Sequence, residues 1–109
     1  MKALIYTAVE TFEYGDVPLP VAGEDEELIQ IMASGICGSD MHAYRGHDAR
    51  RPAPLILGHE AAGVVVGGAD AGRRVTINPL VACGSCRDCD SGRNNLCANR
   101  QIISMPPRE

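Results

Sequence analysis

Leu55-Ile-Leu-Gly-His-Glu-Ala-Ala-Gly-Val-Val-Val66 is the stretch that decides the fold. It is a long apolar run, rich in valine, interrupted by Gly58 and Gly63 and carrying the polar pair His59-Glu60 near its middle. A run of this kind reads as a bent strand pair, with the bends at glycines. Shorter runs stand on either side. Lys2 to Thr7 and Arg73 to Ile77 read as strands, and Glu27 to Ser34 as a strand with partial alternation. Between them, Phe12 to Pro20 holds two prolines and reads as an extended, turn-rich connection. Glu24 to Glu27 is a solvated acidic turn, and Arg51 to Pro54 is a breaker segment. Cys37 to Tyr44 reads as a short helix with Ser39 or Asp40 as its cap. Twelve glycines and seven prolines fit a chain that turns often. Short strands joined by such turns predict a mostly β fold, a small and partly open β-barrel.

Four cysteines, Cys83, Cys86, Cys89 and Cys97, follow in the spacing C-x2-C-x2-C-x7-C. A Cys-x-x-Cys pair turns both sulfurs toward one ion, and two more complete a tetrahedron that suits Zn²⁺. Gly84, Ser85 and Gly92 allow the sharp turns such a knuckle needs. An odd cysteine total and the lack of an export signal weigh against a disulfide framework. The predicted lobe spans about residues 81–99. Its closed four-thiolate site holds a loop and does no chemistry.

At 109 residues the chain makes one domain with a modest core. Aromatic residues are 4% and tryptophan is absent, so that core must rest on Val, Ile, Leu and Ala. A net charge of −4 disfavours nucleic acid or an anionic membrane as partner. The late arginines, Arg87, Arg93, Arg100 and Arg108, are spread among polar residues and read as solvated surface. Met1 to Tyr6 is too short for a signal-peptide core, and no run reaches membrane-span length. Reduced cysteines without an export signal imply a cytoplasmic setting. No G-x-G-x-x-G opens a helix, Gly67-Gly68 being only two adjacent glycines, so a dinucleotide-binding fingerprint is absent. The end, Ser104-Met-Pro-Pro-Arg-Glu109, reads as carrying no closing element, as in a cut through a longer protein.

The fifth cysteine, Cys37, lies in Ser34-Gly-Ile-Cys-Gly-Ser-Asp-Met-His42, and Gly58-His-Glu60 follows about twenty residues later. Cys, His and Glu can hold zinc with positions left open to water or substrate. Each also has an ordinary alternative: Cys37 as a small buried hydrophobe, His59 as a core histidine, Glu60 as a surface acid.

The motifs Gly35-Ile-Cys-Gly-Ser-Asp-x-His42 and Gly58-His-Glu-Ala-Ala-Gly63, followed by the four-cysteine lobe, occur in this order in the zinc-dependent medium-chain dehydrogenases. The chain resembles the N-terminal part of their catalytic domain, a fold similar to the GroES co-chaperonin barrel. It looks nearest the polyol branch, with threonine and simple-alcohol dehydrogenases as neighbours. The resemblance implies a GroES-like domain over residues 1–109, incomplete and without its dinucleotide-binding domain. It implies a whole enzyme that oxidises a secondary alcohol to a ketone with NAD or NADP and forms a homo-oligomer.

Cys37 and His59 match the family's catalytic zinc ligands, and Glu60 a glutamate on or near the zinc. Ser39 matches the hydroxyl that takes the substrate proton, His42 the base that passes it on, and Asp40 the carboxylate bonded to the zinc-bound histidine. Helix capping by Ser39 and Asp40, and plain exposure of His42, are the ordinary alternatives. The connection Gly67-Gly-Ala-Asp-Ala-Gly72 is shorter than usual in the family, which predicts a trimmed surface hairpin. Two other classes compete. A non-catalytic zinc module would leave Gly58-His-Glu60 unexplained, and a co-chaperonin-like structural protein has no need of a cysteine lobe.

Overall fold

A computed structural model describes residues 1–108. Strands β1 (Lys2–Ala8) and β2 (Thr11–Asp16) form an antiparallel hairpin. Strands β3 (Ile29–Ser34), β4 (Ala61–Val65) and β5 (Arg74–Thr76) form an antiparallel sheet in that order. A third pair, β6 (Leu80–Val81) with β7 (Gln101–Ile102), closes the base of the cysteine lobe. Helix α1 covers Gly38–Tyr44 and the one-turn helix α2 covers Arg87–Asp90. The fold is mostly β, and among the described residues the strands close no barrel. No helix among them is long and apolar enough to cross a membrane.

Three expectations change. The run Leu55–Val66 yields one strand, not two, because only Ala61–Val65 pairs along its length. Leu55 contributes an isolated bridge, exchanging both backbone hydrogen bonds with Tyr6 at 2.9 and 3.0 Å. Gly58, at φ +122, then turns the chain in a conformation that L side chains avoid. The supposed connection after Phe12 begins as strand β2. Thr, Phe and Tyr favour a pleated surface, and the first proline, Pro18, lies beyond the strand's end. The cap of α1 is Cys37, with Asp40 three residues further on, so neither Ser39 nor Asp40 occupies the cap position.

The core is thin, as the composition predicts. Its buried apolar residues are Tyr6, Ala43, Leu55, Val65 and Cys97. The few aromatics gather at one seam. Phe12 meets Tyr6 edge-on at 5.9 Å and stacks on Tyr44 at 5.0 Å, which docks α1 against the β1–β2 hairpin. Hydrogen bonds fix the same joint, since Glu10 N–H donates to the Tyr44 carbonyl and the Tyr44 hydroxyl to the Glu10 carbonyl, both at 2.8 Å. Gly67–Gly72 makes the short β4–β5 turn.

Candidate metal centres

The β3–β4 ladder explains how residues twenty positions apart come together. Its register pairs Ser34 with Ala61, and one step further Gly35 N–H donates to the Glu60 carbonyl at 2.8 Å. The chain leaving β3 therefore carries Cys37 past the residues that enter β4, His59 and Glu60. Glycine at 35 leaves the Glu60 side chain room to lie over this crossing, because a Cβ there would stand 2.5 Å from Glu60 Oε2 and 3.2 Å from Glu60 Cβ. Further along, a Cβ on Gly63 would fall 2.2 Å from the Gln30 carbonyl oxygen.

One ligand atom each from Cys37, His59 and Glu60 lies within 4.8 Å of the others. Asp40 ties the group together. Its Oδ2 accepts the Cys37 N–H at 2.9 Å, and its Oδ1 lies 3.3 Å from His59 Nδ1. That second contact is off the N–H axis, and neither of these two buried atoms has another partner. A buried carboxylate oxygen needs a donor, and a proton on Nδ1 would supply one. That tautomer would leave the Nε2 lone pair free for the cluster. Ser39 Oγ lies 3.5 Å from that Nε2. A thiolate, an imidazole lone pair and a carboxylate, with a carboxylate behind the imidazole, fit a zinc ion that keeps a position open. His42 stands apart from this cluster. It is exposed on α1, three residues beyond Ser39, and its ring centroid is 6.5 Å from that of His47.

The lobe forms a second cluster. The sulfurs of Cys83, Cys86, Cys89 and Cys97 also lie within 4.8 Å of one another. Three of the sulfur pairs, Cys83–Cys89, Cys86–Cys89 and Cys83–Cys97, are 3.9, 3.5 and 3.5 Å apart. Zinc–sulfur bonds of about 2.3 Å give a tetrahedron with edges of about 3.8 Å, whereas a disulfide would need about 2.05 Å. All five cysteines are free. Without metal the thiols conflict. Hydrogen bonds from the Ser85 backbone and the Cys97 thiol hold Cys83 down to about 6. Burial and the neighbouring Cys86 push Cys89 up to about 11. A divalent cation resolves the conflict by favouring thiolate at all four positions.

Residues 23–105 match the alcohol dehydrogenase GroES-like domain family. The chain belongs to that family. It is 40% identical to the sorbitol dehydrogenase of Bacillus subtilis (strain 168), an alignment covering 98% of this chain and 33% of the relative. It is 39% identical to an L-threonine 3-dehydrogenase of Chromobacterium violaceum (strain ATCC 12472), over 96% of this chain and 34% of that protein. A crystal structure described as a short chain alcohol dehydrogenase (rspB) from E. coli CFT073, complexed with NADH, superposes with a TM-score of 0.84. It is 32% identical, and the match covers 96% of this chain and 32% of that one. The chain thus spans about a third of the length of the curated relatives it matches.

Two residues near the site of this GroES-like domain were not legible as such. Arg51, placed by sequence in a breaker segment, is 4% exposed. Ser104, placed in a loose end, is 2% exposed and accepts the Gly58 N–H on its Oγ at 3.0 Å. The segment after β7 therefore packs against the turn that carries His59, which corrects the expectation that it closes nothing. Glu109 lies outside the described residues. Among the late arginines, Arg93 pairs with Asp88 at 2.9 Å and Arg108 with Glu26 at 2.9 Å. Those two pairings fit the solvated-surface expectation.

Proposed function

We propose that this chain supplies the metal-binding part of the catalytic domain of a zinc-dependent NAD(P) dehydrogenase acting on an alcohol or polyol. The observation that carries the proposal is the convergence of Cys37, His59 and Glu60, with Asp40 bridging the first two. Zinc held by these three residues would supply a Lewis acid to the alcohol oxygen. Ser39 takes the alcohol proton in this reading, since a hydroxyl both accepts and donates; its Oγ, 3.5 Å from His59 Nε2, supports that role. His42, on the same face of α1 and open to solvent, takes the proton onward. Asp40 holds the His59 ring in one tautomer and fixes the backbone of Cys37.

The reaction class is hydride transfer from the carbinol carbon of a secondary alcohol to a nicotinamide, giving a ketone. These 109 residues contain no dinucleotide fingerprint, so another part of the whole protein holds NAD or NADP. Sorbitol and threonine, the substrates in its relatives' names, support a substrate class of small hydroxylated molecules. In this reading the four-cysteine lobe holds a structural zinc, and a metal site built of reduced thiolates favours a cytoplasmic setting.

Metal content of the reduced chain tests the assignment. Two zinc ions per chain are expected, falling to one in Cys37→Ala with the lobe still loaded. One ion in the unmodified chain, or two in the variant, would refute the catalytic site.

A further inference from the structure

We propose that Arg51 is a positioning residue for the Cys37–His59–Glu60 set, acting through Ser104. The inference rests on the reading of those three residues as metal ligands. Arg51 is nearly fully buried, and its donors are spread over three segments. Nη1 donates to Asp48 Oδ2 at 3.0 Å and reaches the Ser39 carbonyl at 3.5 Å, while Nε donates to the Ser104 carbonyl at 3.2 Å. Ser104 in turn takes the Gly58 N–H on its hydroxyl. The two ends of this chain of bonds are two residues after Cys37 and one residue before His59.

A buried cation costs more than an apolar residue of equal volume unless its partners repay the desolvation. The Asp48 carboxylate repays part of it, but Asp48 also takes two side-chain bonds from the exposed Arg50. What Arg51 adds beyond that ion pair is direction. Its rigid planar fork fixes the Ser39 and Ser104 carbonyls relative to each other. Gly58 needs such a restraint. It sits at φ +122 with open space where a Cβ would be, so no side chain limits its motion. Ser104 supplies the restraint from a left-handed backbone, φ +73, that turns both its carbonyl and its hydroxyl to account. The hub therefore sets the separation of the Cys37 and His59 segments at the end where the β3–β4 ladder no longer reaches.

Cobalt(II) titration of the chain tests this, since a four-thiolate lobe and a one-thiolate site give thiolate charge-transfer bands of different strength. Ser104→Ala cuts only the Gly58 tether. It should weaken the second site about 10- to 100-fold while lobe affinity stays within about twofold, the usual effect of losing a group that orients a ligand. The double variant Arg51→Met/Asp48→Asn removes the hub without stranding a charge and should do the same. Arg51→Lys keeps the ion pair but not the fork and should fall between. If both main variants bind the second cobalt as the unmodified chain does, the proposal is overturned. It is equally overturned if Ser104→Ala loses the lobe ion in parallel, which would make the residue a general stabiliser. A single cobalt in the unmodified chain, or two in Cys37→Ala, would instead break the metal-site reading beneath it.

Discussion

Replacing Gly35 by alanine isolates the proposed second metal site with one methyl group. The new Cβ would lie 2.5 Å from Glu60 Oε2 and 3.2 Å from Glu60 Cβ. Non-bonded heavy atoms settle near 3.5 Å, so the carboxylate must retreat by about 1 Å and the Cβ by a few tenths. Glu60 is exposed, and its carboxylate can rotate into solvent at a cost of about 0.5–1.5 kcal/mol. A domain of this size loses roughly 4–8 °C in Tm per kcal/mol, so the melting point should fall by less than about 12 °C. The rotated carboxylate, however, no longer points at Cys37 and His59. Cobalt affinity at that site should drop at least about 10-fold, with the lobe unchanged. Gly63→Ala is the matched control. Its methyl would meet the Gln30 carbonyl oxygen at 2.2 Å, and a backbone atom of β3 cannot swing aside. Overpacking of that kind costs about 3 kcal/mol, so this variant should melt well below Gly35→Ala. Calorimetry and cobalt titration on the two variants separate the effects. Full second-site affinity in Gly35→Ala would refute the placement of Glu60 among the ligands.

Single Cys→Ser changes at Cys83, Cys86, Cys89 or Cys97 should each remove the tightly held zinc of the lobe and lower Tm, because metal binding there is coupled to folding; metal analysis and melting curves check this. In the metal-free, reduced chain, pH should act in two directions. Cys83 is depressed from 9.0 to about 6, so its stabilising contribution is complete above 9.0 and drains away as pH falls toward 6. Cys89 is raised from 9.0 to about 11, so its contribution is complete below 9.0 and is lost as pH rises through 11. The thiol contribution to stability should peak near pH 9, and a Tm that rises steadily on acidification from 9 to 6 would contradict it.

The lobe was legible because its ligands are local. Cys83 to Cys97 spans fifteen residues, and the spacing alone dictates which sulfurs can meet. Helix α1 was legible in length but not in its cap. Cysteine is a poor cap by composition, and what fixes the helix start is Asp40 reaching back to the Cys37 N–H. Strand β2 was hidden by the prolines that follow it, although Thr11, Phe12 and Tyr14 carry the strand preference. Arg51 and Ser104 had no sequence signal, since the bonds that join them to each other and Ser104 to Gly58 span 53 and 46 residues. Buried polar hubs of this kind are set by tertiary packing, which local patterns do not encode.

The two metal sets ask different things of the chain. Loop-closure entropy separates them little, because doubling a loop costs only about 0.6 kcal/mol. The difference lies in what must be ordered first. The lobe needs its own turns and the two-residue pair β6–β7 at its base. The Cys37 set needs the β3–β4 register, the glycine at 35, the Asp40 bridge and the hub at Arg51, which draw on segments from β3 to Ser104. A one-residue slip of β3 on β4 would leave the lobe intact and carry Cys37 away from His59 and Glu60. The bulge at Met32, between the pairs Ile31–Gly63 and Ala33–Ala62, works against such a slip, because it breaks the uniformity that would let the strands slide. Precision at the open site is thus a property of the sheet and its buried polar contacts, whereas the lobe carries its own.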